Sequence, residues 1–218
     1  MKTLQVKPIC EQIDDAAQVA EALDRNGIAW NDIDSCNWPE AYPYAPQAQF
    51  RIAHTDSAFL IHYKATEDSV KAAYANDNGS VWTDSCMEFF LCPDFDNKVY
   101  YNLECNCIGT VLLGVRGNGV DKAHAAPEIM QTIKRWSSLG RETFAEKIGT
   151  QTWEVALIVP FDAYWHHGAA AIKTASLRAN FYKCGDELQK PHFLSWAPIE
   201  WEKPNFHLPE FFGKIELS

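Results

Sequence analysis

Basic residues are scarce in this 218-residue chain: 19 Lys and Arg stand against 29 Asp and Glu, a formal net charge of -10. Binding nucleic acid through its phosphates needs a basic surface, so that deficit argues against such a partner, while it suits a neutral or cationic one. Long apolar runs are missing too. No stretch approaches the roughly 20 residues of a membrane span, and the N-terminal MKTLQVKPICEQIDDAAQVA has no continuous apolar core of the secretory kind. The expectation is a protein with no membrane contact, cytoplasmic as written; a secreted or periplasmic protein freed of its leader would give the same reading. Paired CxxC spacings are absent among the seven cysteines, which excludes the usual structural zinc site and leaves buried free thiols as the expected state. The odd count favours a reducing compartment. Catalytic signatures are missing as well: the chain has no GxSxG elbow, no GxxxxGK[ST] phosphate loop, no GxGxxG opening a helix and no HExxH. Enzyme chemistry would have to rest on carboxylates alone.

What the chain has in quantity is apolar and aromatic surface. The hydrophobic fraction is 47%, with eight Trp, eight Tyr and twelve Phe, enough to fill a core and leave rings over. The length suits one large β domain over residues 1–218. The stretch from Trp82 to Gly114 organises the rest and reads as two strands joined at Pro93-Asp94-Phe95-Asp96-Asn97. Successive strand side chains point to opposite faces. One face therefore carries Met87, Phe89, Leu91, Tyr101, Leu103 and Cys105, and the other Trp82, Glu88, Phe90, Asn102 and Glu104. Antiparallel pairing would bring the carboxylates of Glu88 and Glu104 onto one sheet face beside amides and rings.

Elsewhere the pattern is mostly β. Residues 11–25 have Ile13, Ala16, Val19 and Leu23 at helical spacing before Gly27. The loop from Asn37 to Pro46 is punctuated by prolines and rich in rings, more a plug for one end of a sandwich than a ligand loop. Residues 47–66 predict a hairpin turning at Thr55-Asp56-Ser57, and Tyr74 to Ser80 a loop able to hold a cation through Asp77 with Asn76 or Asn78. Residues 127–136 suggest a short helical turn or edge segment, and residues 152–160 a strand. His166-His167 sits in a loop, where neighbours on an extended chain point apart and make a poor metal pair. Residues 176–183 form a further strand with Arg178, Asn180 and Tyr182 on one face, and residues 205–217 close with a strand. The sum is an antiparallel β-sandwich, jelly-roll or immunoglobulin-like, with a few short helices.

Sugar recognition needs flat C–H faces stacked on Trp or Tyr and planar hydrogen-bonding groups aimed at neighbouring hydroxyls. Trp82, Glu88, Asn102, Glu104, Arg178, Asn180 and Trp196 make such a set. The competing readings are that the two Trp are core residues, or that Glu88 and Glu104 are the acid and base of a glycoside-processing enzyme.

Four pieces carry a resemblance: VWTDSCMEFFLCP, YYNLECNCIGT, RANFYKCG, and HFLSWAPI followed by PNFHLPEFFGKIEL. In this order they resemble the family 9 carbohydrate-binding modules, the family-9-like, DOMON-like sandwiches, over most of the chain from about Trp30. The terminal NFH-P-FG pattern is the most specific part. The resemblance implies a non-catalytic β-sandwich, often calcium-stabilised, gripping a mono- or oligosaccharide between two Trp rings. By motif, Trp82 would be one ring, Glu88 the carboxylate beside it, Trp196 the second ring, and Arg178 and Asn180 polar contacts. Asn180 and Trp196 are separated here by an inserted loop from Lys183 to Pro191.

Overall fold

The computed structural model describes every residue except Ala175. Among the described residues fourteen strands dominate the secondary structure: β1 Thr3–Pro8, β2 Asn31–Asp32, β3 Ser35–Cys36, β4 Gln47–His54, β5 Ala58–Ala72, β6 Cys86–Asp94, β7 Val99–Asn106, β8 Val111–Gly117, β9 Val120–His124, β10 Lys134–Ser137, β11 Phe144–Pro160, β12 Leu177–Cys184, β13 Phe193–Ser195 and β14 Gly213–Leu217. Three short α-helices, α1 Val19–Arg25, α2 Pro127–Met130 and α3 Gly168–Thr174, sit between them.

The strands form two facing sheets. One runs β10-β11-β5-β4, with β2 on the edge of β4; the other runs β14-β12-β6-β7-β8-β9, with β13 beside β12 and β3 beside β13. They join through β1, whose Thr3–Val6 pairs with β14 while Lys7 and Pro8 pair with β4, both in parallel. All other pairings are antiparallel, as the alternation predicts; the two parallel ones lie at the single strand that passes from sheet to sheet.

The main core lies between the sheets, where Phe50 stacks on Phe181 at 3.5 Å and Phe59 meets Phe89 edge-on at 5.6 Å. It is built from the predicted inward residues, among them Met87, Phe89 and Leu91 of β6 and Trp153, Val155, Leu157 and Val159 of β11. Cys105 and Cys107 are buried in it, and all seven cysteines are free thiols. A second cluster forms outside the first sheet, where Val19 and Leu23 of α1 cover Ala53, Leu60 and Ala156.

The organising stretch departs from expectation in two places. It holds three strands, because the chain reverses at Cys107–Thr110, where the Asn106 side chain accepts from the Ile108 and Thr110 amides and Gly109 takes a φ of +78°. Trp82 lies in a single 3-10 turn, Val81–Thr83, rather than on β6. That turn is anchored by the buried Asp84, whose carboxylate accepts from the amides of Ala73 and Tyr74 and from the Asn106 amide group. The proline-rich loop packs on the outer face of the second sheet rather than plugging an end of the sandwich: Trp38 is buried against Phe193 and Phe206 and donates its indole N–H to the Trp201 carbonyl at 2.7 Å. No described helix is long and apolar enough to cross a membrane.

Candidate ligand-binding cavity

The outer face of the second sheet is half covered. Residues from Ile199 to Phe212 fold over one part of it and bury Phe90, Tyr100 and Tyr182 with Ile199, Leu208 and Phe212. Beside that cover a cavity of about 330 Å³ remains, within the roughly 300–1,000 Å³ of small-molecule sites. Its floor is set by strand register. Glu88 of β6 stands directly opposite Glu104 of β7, and Phe90 opposite Asn102. Asn102 in turn faces Gly114 of β8, where a Cβ would come within 2.7 Å of Oδ1; the missing side chain makes room for the amide. Arg116 of β8 and Lys122 and His124 of β9 continue one rim. Trp82, 37% exposed on its turn, and Asp186 form another side. Phe206 and His207 complete the wall: Phe206 stacks on Tyr182 at 4.1 Å, and His207 Nδ1 meets the Tyr100 hydroxyl at 3.1 Å.

Several polar atoms here are buried without an internal hydrogen-bond partner. The Asn102 amide donates to Glu104 Oε1 at 2.8 Å, and the Cys184 thiol donates to Glu88 Oε1 at 3.0 Å. Glu88 Oε2, Glu104 Oε2, Asn102 Oδ1 and Arg116 Nε have no hydrogen-bond partner among the described residues. Burying such groups unpaired costs free energy, about 1–3 kcal/mol each. Four of them border one cavity, where water or a ligand would complete their hydrogen bonds.

Burial also sets the charge. It pushes Glu104 up to about 7, against the pull of Asn102 and Arg116. It pushes Glu88 well above the usual carboxylate range, and the neighbouring Glu104 pushes the same way. Near neutrality the pair thus holds a proton on Glu88 while Glu104 is close to its midpoint, so the floor offers both carboxylic O–H donors and carboxylate acceptors. Asp186 is raised to about 6 by burial and Glu187. His207 is driven down to about 3 by burial and by the Arg116 and Lys122 charges, so it is neutral.

Of the seven residues singled out from sequence, Trp82, Glu88, Asn102 and Glu104 meet at this cavity. The other three do not line it. Arg178 shares the sheet face but sits farther along β12, over the Phe95 ring at 4.0 Å. Asn180 has its side chain fully engaged: it donates to the Ala197 carbonyl and accepts from the Ala197 and Phe181 amides, clasping the covering segment. Trp196 is buried between the sheets, edge-on to Phe50 and Phe181, so the two Trp rings do not face one cleft. The chain enters the core there because the Trp196 amide bonds to the Phe181 carbonyl at 2.8 Å. Sequence reading missed Arg116, Lys122, His124, Asp186, Phe206 and His207. Arg116 was findable, since Leu112, Gly114 and Arg116 continue the outward alternation. Phe206 and His207 belong to the terminal NFH motif itself.

In the loop suggested for a cation, Asp77 Oδ1 pairs with Arg135 and accepts from the Val111 amide, while Asn78 Oδ1 accepts from the Leu113 amide and its amide group donates to the Ala125 carbonyl, contacts that pin the loop. His167 bonds the Tyr101 hydroxyl through Nδ1 at 3.0 Å.

A recessed polar cavity with aromatic walls on a sandwich face has the form of small-molecule sites in general. The chain belongs to carbohydrate-binding family 9, whose family model matches residues 17–217. A candidate carbohydrate-binding protein from Bacteroides uniformis ATCC 8492 is 43% identical, with a TM-score of 0.95 over 100% of this chain and 99% of its own. Two structures of a family 9 carbohydrate-binding module from Caldicellulosiruptor kristjanssonii share the fold. One, in complex with glucose, has 14% identity and a TM-score of 0.57 over 100% of this chain and 96% of its own. The other, in complex with cellotriose, has 15% identity and a TM-score of 0.59, covering 100% and 94%. No curated protein matches the chain.

Proposed function

We propose that the cavity of the second sheet binds a sugar without transforming it, taking one end of a mono- or oligosaccharide against Trp82 and Phe206 and pairing its hydroxyls with Glu88, Asn102, Glu104 and Arg116. The observation that carries this is the set of four buried polar atoms without internal partners on one 330 Å³ cavity. A sugar hydroxyl both donates and accepts, which suits a floor mixing a carboxylate, a carboxylic acid, an amide oxygen and a guanidinium N–H. Family membership supports the same reading. Catalysis is disfavoured by placement: Glu88 and Glu104 rise side by side from neighbouring strands, whereas a glycosidase sets its two carboxyls on either side of the scissile bond.

The test is a titration of glucose and cellotriose followed by Trp fluorescence and calorimetry, with turnover of aryl glycosides measured in parallel. Saturable binding weakened about tenfold or more in Asn102→Ala and Glu104→Gln, as the loss of a hydrogen bond to a charged group implies, and unchanged in Arg178→Ala, supports the proposal. Absence of any response to a broad sugar panel at millimolar concentration, with Trp82→Ala indistinguishable from the parent, would sink it. Glycoside turnover lost in Glu88→Gln would replace it with the enzymatic reading.

A further inference from the structure

Beneath the cavity lies a second constellation that the sugar reading does not use in full. The register of β12 on β6 places Cys184 directly opposite Cys86, and Glu88 follows two residues along on the same face. The Cys86 and Cys184 sulfurs and a Glu88 carboxylate oxygen lie within 4.8 Å of one another, and all three residues are buried. Cys184 Sγ is 3.0 Å from Glu88 Oε1, while Glu88 Oε2 has no partner among the described residues and borders the cavity, as Cys184 does.

We propose that Cys86, Cys184 and Glu88 form a binding site for a thiophilic cation, Zn²⁺ being the natural candidate, with its fourth coordination position open to the cavity. Two thiolates and one carboxylate match the donors zinc prefers, and sulfurs on a tetrahedral ion with Zn–S bonds of about 2.3 Å sit about 3.8 Å apart, so the three side chains need only a small adjustment. Two sulfur donors disfavour Ca²⁺ and Mg²⁺, which take oxygen ligands. When the ion binds, the Cys86 and Cys184 thiols and the Glu88 carboxylic acid would each release one proton to solvent through the cavity, so that two thiolates and one carboxylate face the dication. Paired strands hold the sulfurs, and such ligands on rigid elements lose little entropy on binding. The proposal does not depend on what the cavity binds, since it concerns the ion alone.

Cobalt(II) is the probe. The fully reduced chain is titrated anaerobically with CoCl₂ after a thiol count on unfolded protein has shown seven free cysteines. The expected result is a thiolate-to-cobalt charge-transfer band saturating at one equivalent, abolished by ZnCl₂, lost in Cys86→Ser and in Cys184→Ser, weakened in Glu88→Gln and kept in a Cys10→Ser/Cys36→Ser variant that lacks the accessible thiols. Far-UV circular dichroism establishes that each variant is folded. Should a serine variant unfold, zinc-dependent protection of the parent's Cys86 and Cys184 from alkylation, read by peptide mass spectrometry, serves in its place. No band up to millimolar cobalt in the reduced parent overturns the proposal. So does a band that survives both serine substitutions, or zinc that protects only Cys10 and Cys36.

Discussion

Glu104 is held where its charge is unwelcome. It is 4% exposed, its side chain accepts one hydrogen bond among the described residues, from Asn102, and its carboxyl is raised to about 7, by burial first of all. In the unfolded chain the same group titrates near 4.5. The folded state thus binds the proton more tightly, and the stability this contributes is complete below pH 4.5 and disappears as pH rises through about 7. Glu104→Gln removes the titration and the cost of burying the carboxylate. It is expected to raise the melting temperature at pH 8 by about 5 °C, corresponding to roughly 2 kcal/mol in a chain of this size, with the gain vanishing near pH 4.5. Thermal melts of both proteins across pH 4–8 check this. A variant less stable than the parent at every pH would show that the carboxylate is held by bonds rather than merely desolvated. The same substitution should weaken sugar binding, so a stability gain coupled to a loss of affinity would mark Glu104 as a group retained for its site.

At the scale of the strands, the two sheets are held together by more than apolar rings. Lys183 lies on the inward face of β12, where alternation demands a hydrophobe, and is fully buried. Its ammonium reaches Glu67 Oε2 of β5 in the other sheet at 2.8 Å, and donates to the Cys184 carbonyl at 2.8 Å and to His192 Nε2 at 2.7 Å. Trp153 of β11 donates its indole N–H to the other Glu67 oxygen at 2.6 Å. His192 is pushed well below its ordinary pKa by burial and by Lys183, so it stays neutral and its Nε2 accepts a hydrogen bond from the ammonium. Removing one partner strands a buried charge, and Lys183→Met is expected to cost about 3–5 kcal/mol. Replacing both ends, Lys183→Met with Glu67→Leu, should recover most of that loss, because an apolar pair needs no desolvation. Urea melts of the two variants check it; a single variant within about 1 kcal/mol of the parent would mean the pair does not tie the sheets. Strand periodicity exposed β6, β11 and β12 and both floor carboxylates in the sequence, because side-chain direction follows from a period of two. It could not show that Lys183 and Trp196 face inward usefully, since which ring or charge a core accepts depends on partners more than a hundred residues away for Glu67 and Lys183.

Across the molecule the least legible element is also the one that joins the halves. In TLQVKP only Val6 is buried, so β1 has too little alternation to be read as a strand, and its two parallel pairings leave no hairpin signature. Yet β1 covers the edge of β14 with Thr3–Val6 and the edge of β4 with Lys7 and Pro8. Those edges carry rows of unpaired amides and carbonyls once it is gone, and open strand edges recruit other chains. Removing residues 1–8 is therefore expected to lower the melting temperature and to produce concentration-dependent association on size-exclusion chromatography. A synthetic peptide of residues 1–9 added in trans should reverse the association, because it can re-form both pairings and place Ile9 under its bond to the His54 carbonyl. The cavity is built on β6 to β9, with β12 standing between them and β14, so sugar-induced fluorescence change should persist in the truncated chain wherever it remains folded. If the truncated chain is instead monomeric and as stable as the parent, the sandwich is closed by its core alone and β1 is an ornament on its edge.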